Sequence, residues 1–250
     1  MMNSRFTLLF AFALLLCGRP AGHAQDAAPP VLVTPSLVAD TTKIAAGRPF
    51  TVGVRMQFAK GWHTYWQHPG ESGGAPKIEW QLPAGFTAGP IQWPLPKAHL
   101  DEGDLLTYIY EDEVLLPVEI TPPALLAAGE VTLNANLKWL VCEATCVPGQ
   151  GSIALQLPSG DDGVPSNAEL FATWRARLPK AEAPPFPITW SRKPDAVVLQ
   201  TSNVPVGATV EFLPLPPTGV ELGHPKLESG AGGSHTITVS VREGGASDLA

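Results

Sequence analysis

Proline and glycine recur so densely along this chain that long helices have little room to form. There are 27 prolines and 24 glycines in 250 residues, and a proline inside a helix removes a hydrogen bond and clashes with the preceding turn. Between these breaks lie short segments that alternate apolar and polar residues, the period of a half-buried strand. Phe50-Thr51-Val52-Gly53-Val54-Arg55-Met56-Gln57-Phe58 is one such segment. A longer one sets Val131, Leu133, Ala135, Leu137, Trp139 and Val141 on one face against Thr132, Asn134, Asn136 and Lys138 on the other. Shorter strands are expected at Val31–Leu37, Trp62–Trp66, Lys77–Leu82, Leu105–Tyr110, Val114–Ile120 and Ser152–Leu157.

Turn-rich stretches separate these strands at the spacing of a β-sandwich, so the sequence predicts an all-β, immunoglobulin-like fold over residues 25–160 with a flexible lead up to residue 31. Residues 161–187 differ. Ser166 is placed to cap a helix running through Leu178, with Glu169 as its capping-box partner. Leu170, Phe171, Trp174 and Leu178 would share the face that packs on a sheet. After a linker at Ala181–Pro187, strands are expected at Ile188–Arg192, Ala196–Thr201, Ala208–Leu213 and Thr236–Val241. Residues 188–250 therefore read as a second, smaller or partial β-module, or as the front of something longer.

Residues 1–24 have the form of a secretory signal. Arg5 supplies a positive start, Thr7–Leu16 an apolar run, and Gly22-His23-Ala24 small residues before a cleavage point at Gln25. The run is too short to span a bilayer stably, so no stable membrane insertion is expected. Cys17 is preceded by Leu14-Leu15-Leu16 rather than by the small residue a lipoprotein signal needs. Removing the leader takes away Arg5 and Arg19 and no acid, leaving 14 basic against 23 acidic residues and a charge of −9. That balance offers no basic stripe to phosphates and argues against nucleic-acid binding.

Of three cysteines, Cys17 leaves with the leader, and export places Cys142 and Cys146 in an oxidising compartment, the bacterial periplasm. A well-patterned strand runs into Cys142, three residues follow, and Pro148 stops ladder pairing just past Cys146. Three chemistries suit such a pair: redox exchange, an inert staple, or metal ligation. A disulfide closing so short a loop is worth only about 2 kcal/mol in the entropy model, against about 3 kcal/mol for fifteen residues. A bond at an accessible strand end is better placed to open and close. His63, His68 and His99 could join the thiols around Cu(I) or zinc if the fold assembled them, but none is near the pair in sequence, and neither a metal nor another cofactor is expected.

The densest aromatic segment is Gly61-Trp62-His63-Thr64-Tyr65-Trp66. Trp62, Thr64 and Trp66 would share one strand face, and His63 and Tyr65 the other. Both faces cannot be equally buried in a simple sandwich, so one of them either packs plainly or lines a groove that shields the cysteines. The acids at Asp101, Glu102, Asp104, Glu111, Asp112 and Glu113 read as solvated loops, although a carboxylate beside a thiol can also shuttle its proton.

Several motifs in order resemble the periplasmic N-terminal domain of the DsbD-type disulfide reductases, and more closely their ScsB-type relatives. They are Gly61-Trp62-His63-Thr64-Tyr65-Trp66, Trp93-Pro94-Leu95-Pro96, Tyr108-Ile109-Tyr110-Glu111-Asp112-Glu113-Val114-Leu115-Leu116-Pro117-Val118, Trp139-Leu140-Val141-Cys142 and Cys146-Val147-Pro148-Gly149. The resemblance implies a relay whose Cys142 and Cys146 cycle between dithiol and disulfide. It would take electrons from a membrane electron-donor domain and pass them to thioredoxin-like periplasmic proteins. It also implies an acidic cap over the sulfurs, which falls at His99-Leu100-Asp101-Glu102-Gly103. The cap and thiol-tuning residues expected on this reading are Leu100, Asp101, Glu102, Tyr65, Trp62 and Tyr110. Two departures stand out. Gly103 occupies the place of an aromatic cap residue, so shielding falls to Leu100, Leu105 or the Trp62–Trp66 strand, and the cysteines are closer together than in the DsbD branch. The rival functions are a non-catalytic binding module with a locked disulfide and a periplasmic copper-binding protein.

Intact-mass spectrometry of the exported protein should give an N-terminus near Gln25; a diacylated Cys17 would overturn the soluble reading.

Overall fold

The computed structural model describes residues 30–241, apart from residues 102, 181 and 218. The leader and Glu102 therefore lie outside the described residues. Strands β1–β5 are Val33–Ala39, Phe50–Phe58, His63–Gly70, Lys77–Gln81 and Thr87–Ile91. Strands β6–β10 are Lys97–Asp101, Leu105–Glu111, Glu113–Thr121, Glu130–Cys142 and Cys146–Pro158. One antiparallel sheet has the order β1-β2-β8-β5; the other runs β10-β9-β3-β7-β6, with β4 also paired to β9. The two form an immunoglobulin-like sandwich.

The period-two segments meet in its core. Val52, Val54 and Met56 of β2 and Val114, Leu116, Val118 and Ile120 of β8 join Leu133, Ala135 and Leu137 of β9, all 2 % exposed or less. Trp66, Tyr108 and Tyr110 complete the cluster from β3 and β7. Gly53 has a packing reason, since a β-carbon there would sit 2.5 Å from a methyl of Leu115.

The short strands β5 and β6 carry no clear alternation and are missing from the expected set. β5 contains Gly89 and Pro90, both poor strand formers, and holds its place by pairing with β8 alone at the sheet edge.

The helix, α1 (Ala168–Arg175), is shorter than expected. Asn167, not Ser166, occupies its N-cap at φ 50° and makes no side-chain capping bond. Its amide instead donates to the Ala39 carbonyl at 2.9 Å, tying the helix start to β1. Tertiary anchoring thus replaces the capping box. Phe171 and Trp174 project into the sandwich core, as their shared face requires, and Arg175 reaches Asp40 at 2.7 Å.

A third antiparallel sheet follows: β11 (Ile188–Lys193), β12 (Ala196–Thr201), β13 (Lys226–Ser229) and β14 (His235–Ser240), in the order β11-β12-β14-β13. The expected strand at Ala208–Leu213 is not formed, and β13 takes the edge position. Val210 and Phe212 use their alternation differently, lining a cleft with Tyr108, Leu106 and Ile237. The Phe212 carbonyl accepts a hydrogen bond from the Tyr108 hydroxyl at 3.3 Å. Beside it, the backbone N–H of Leu106 donates at 3.0 Å to Glu71, whose carboxylate also meets His224 Nε2. The third sheet is thereby fastened to β7.

Removing a fully buried aromatic ring costs both transfer energy and a cavity, so Phe171→Ala should destabilise the fold by about 3–5 kcal/mol. Urea unfolding measures this, and a loss below about 1 kcal/mol would mean that α1 is peripheral to the core.

Candidate functional site

The β9–β10 ladder runs without interruption from Glu130↔Pro158 to Cys142↔Cys146. It delivers the two cysteines to directly opposed positions, with Cα atoms 4.1 Å apart and the sulfurs bonded. Glu143, Ala144 and Thr145 close the hairpin, with the Glu143 N–H donating to the Thr145 carbonyl at 3.3 Å. The pair is asymmetric. Cys142 is 3 % exposed, whereas Cys146 is exposed on an edge strand.

Alternation along β9 decides which face carries the sulfurs. Leu137 and Val141 point into the core, so Leu140 and Cys142 continue the outer face that begins at Thr132. The pairing extends this face across the sheet. His63 of β3 lies opposite Cys142 and Glu111; Tyr65 lies opposite Ile109; and His99 of β6 lies opposite Thr107. Tyr65, Ile109 and Cys142 form a second small buried cluster with Leu140, separate from the main core. This outer face is covered where Cys142 sits. Gly73, at φ +99°, lies so close to the Tyr65 ring that a β-carbon there would overlap it at 2.2 Å.

The cover is polar as well as aromatic. The Tyr65 hydroxyl is 3.8 Å from Cys146 Sγ and donates toward it. Burial, and next the nearby Asp101 charge, push the Tyr65 phenol up to about 12, so it keeps the proton that this contact needs. His63 packs edge-on against Tyr65 with ring centroids 5.4 Å apart, and His99 is equally close to His63. Asp101 accepts from the Thr107 hydroxyl at 2.8 Å and stands 3.5 Å from His99 Nε2. Burial holds the His63 imidazole below its usual range; Asp101 and Glu111 oppose that shift and His99 adds to it. Such a face can stabilise a thiolate at Cys146 through a neutral phenol and can accept or release protons beside Cys142.

Of the residues singled out from the sequence, Cys142, Cys146, Tyr65 and Asp101 meet on this face. Trp62 and Tyr110 belong to the other. Trp62 packs against the sandwich core, and Tyr110, 5 % exposed, donates its hydroxyl to the Pro94 carbonyl at 2.6 Å. Leu100 lies opposite Leu106 and is 61 % exposed, whereas Leu105 is opposite Asp101. Both therefore lie at the tip of the β6–β7 hairpin, in the same sheet as the sulfurs. Gly103 turns that tip at φ +83° with open space around its α-carbon. Glu111 and Glu113 are not simply solvated: they pair with Lys97 and Arg55. His68 stands apart beside the Tyr108 ring. Among the described residues no group of three or more His, Cys, Asp or Glu is arranged to hold a metal ion. Nor is any helix there long and apolar enough to cross a membrane. Gly73 and Ile109 were not foreseen. The run Glu71-Ser72-Gly73-Gly74 offers only small residues as a clue that the backbone passes close to a ring.

Residues 33–158, from the first residue of β1 to the last of β10, match the family described as thiol:disulfide interchange protein DsbD, N-terminal. The chain belongs to that family. It is a thiol–disulfide interchange domain carrying a Cys142–Cys146 disulfide. The N-terminal periplasmic domain of ScsB from Proteus mirabilis shares its fold, with a TM-score of 0.66 at 23 % identity over 85 % of this chain and 81 % of that one. This coverage reaches beyond the half of the chain that the family match spans. A marsupial T cell receptor aligns at 12 % identity over 89 % of this chain and 90 % of that one, but its TM-score of 0.18 gives it no weight. No curated protein sequence matches this DsbD-type chain.

All three tyrosines of this DsbD-type domain are shifted upward, chiefly by burial: Tyr65 and Tyr108 to about 12, and Tyr110 further still. A raised phenol pKa stabilises the fold below pH 10.0 and that stability is lost as pH climbs through about 12. Ultraviolet titration of the folded protein should show no phenolate at pH 10, with tyrosinate appearing together with alkaline unfolding. A tyrosine titrating near its ordinary value in the native state would contradict this packing.

Proposed function

We propose that the chain is a periplasmic relay that carries electrons from a membrane reductase partner to oxidised thioredoxin-like proteins through Cys142 and Cys146. Residues 1–24 serve as its export signal, 25–160 as the redox domain, 161–187 as helix and linker, and 188–250 as a small second β-module. The observation that carries the reading is the unequal burial of the sulfurs, with Cys142 3 % exposed and Cys146 open at the hairpin end. Thiol–disulfide exchange passes through a mixed disulfide that forms on the accessible sulfur. Cys146 is therefore the partner-facing thiol, and Tyr65 is placed to donate to it as a thiolate. Cys142, held in the β9 ladder beneath the cover, is the resolving thiol that releases the partner. Family membership supports the exchange chemistry; the direction of electron flow and the partners rest on resemblance.

Two measurements test this. Equilibration against a glutathione or dithiothreitol series should place the pair between about −180 and −300 mV, where exchange proteins lie. Cys142→Ser should trap a covalent complex with a thioredoxin-like protein through Cys146, and Cys146→Ser should trap little. The reverse pattern would exchange the two roles. A pair that resists reduction and traps nothing would leave an inert staple in a binding module.

A further inference from the structure

His63 is a histidine in an unusual position. It lies directly across the β3–β9 pairing from Cys142 and is 4 % exposed. Its Nε2 is buried with no hydrogen-bond partner among the described residues. Buried polar atoms are nearly always paired, and an exception is a place to look for chemistry. Two other buried side-chain atoms share this state, Trp66 Nε1 and Thr201 Oγ1. An indole N–H is a donor only, and a hydroxyl does not titrate near neutrality. His63 alone of the three can take up a proton there, and it stands opposite Cys142 in the strand pairing.

The resolving step creates the demand. A thiol must lose its proton to attack a disulfide, and a sulfur as buried as Cys142 has little water to receive it. The other groups on this face are engaged elsewhere or stand opposite other residues, as His99 does across from Thr107 and beside Asp101. Tyr65 holds its proton, Asp101 accepts from Thr107, and Glu111 is tied to Lys97. Directly opposed residues on paired strands have Cβ atoms about 4.5–5.5 Å apart, which brings an imidazole within reach of the facing side chain.

We infer that His63 is the proton acceptor for Cys142 during disulfide closure, a role that rests on the exchange function proposed above. In that step the Cys142 thiol gives its proton to the neutral imidazole, and the thiolate attacks Cys146 Sγ. The Cys142–Cys146 bond forms as the bond from Cys146 to the partner's sulfur breaks. The partner leaves as a thiolate and takes up a proton, the imidazolium returning the one it accepted. Two thiols of this chain are oxidised to a disulfide, the partner's disulfide is reduced to two thiols, and no further oxidant is needed. The charged and titratable groups facing His63 are Tyr65 on its own strand, Glu111 on β7, His99 and Asp101 on β6, and the cysteines of β9 and β10.

The test reacts the reduced protein with dithionitrobenzoate, whose departing thiolate needs no proton. Attack by Cys146 releases one thiolate, and closure by Cys142 releases a second in a concentration-independent phase. In the wild-type protein the second phase should rise with pH and level off, following an imidazole below its usual value of 6.5. His63→Gln should slow that phase by about 10²-fold near neutrality and abolish the levelling, so that the rate climbs steadily with pH. The first phase, which needs no proton transfer from Cys142, should change far less than the second. Superimposable second phases in the two proteins would overturn the assignment. Should His63→Gln fail to fold, an NMR titration of His63 in the reduced wild-type protein decides instead. Its midpoint must coincide with the kinetic one, and a mismatch refutes the role. If no second phase occurs in the wild type and the pair also resists the redox titration, the exchange function itself has failed. If the pair equilibrates normally and only the pH limb is missing, the fault lies with His63 alone.

Discussion

Everything at this site depends on the register of one antiparallel ladder. Because β9 and β10 pair residue for residue up to Cys142↔Cys146, the sulfurs meet without any special loop. Because β9 also pairs with β3 at His63↔Cys142, the same strand sets the chemistry beside the buried sulfur. A slip of one residue would turn Cys142 into the core and bring Val141 to the outer face. The apolar set Val131, Leu133, Ala135, Leu137 and Val141, all well buried, holds the strand against such a slip.

That constraint was legible in the sequence, since the alternation along Val131–Val141 is strong and long. The same reading separated Trp62, Thr64 and Trp66 from His63 and Tyr65, and the structure places those two sets on opposite faces of the sheet. Which set would face the sulfurs was not legible, because strand periodicity separates two faces without saying which one meets the core. The tyrosines show the limit well. Tyr65 and Tyr110 both looked like neighbours of the thiols, yet one bonds toward Cys146 and the other toward the Pro94 carbonyl.

The misses share a physical cause. β5 and β6 are too short and irregular to announce themselves, and they owe their extended form to strands already in place. The start of α1 is held by contacts to β1 rather than by a local cap. Ala208–Leu213 has the side-chain pattern of a strand but spends it on the cleft beside Tyr108. In each case a partner distant in sequence decided the outcome, and local propensity was overridden.

The position of the disulfide at the very tip of its hairpin bears on recognition. Opening the bond frees a link across only three intervening residues, while the remaining rungs down to Glu130↔Pro158 stay in place. The oxidised and reduced domains should then present nearly the same shape to the rest of the cell. A partner that distinguishes them has little large-scale rearrangement to sense. It must read the sulfurs themselves, at the one edge where Cys146 comes to the surface.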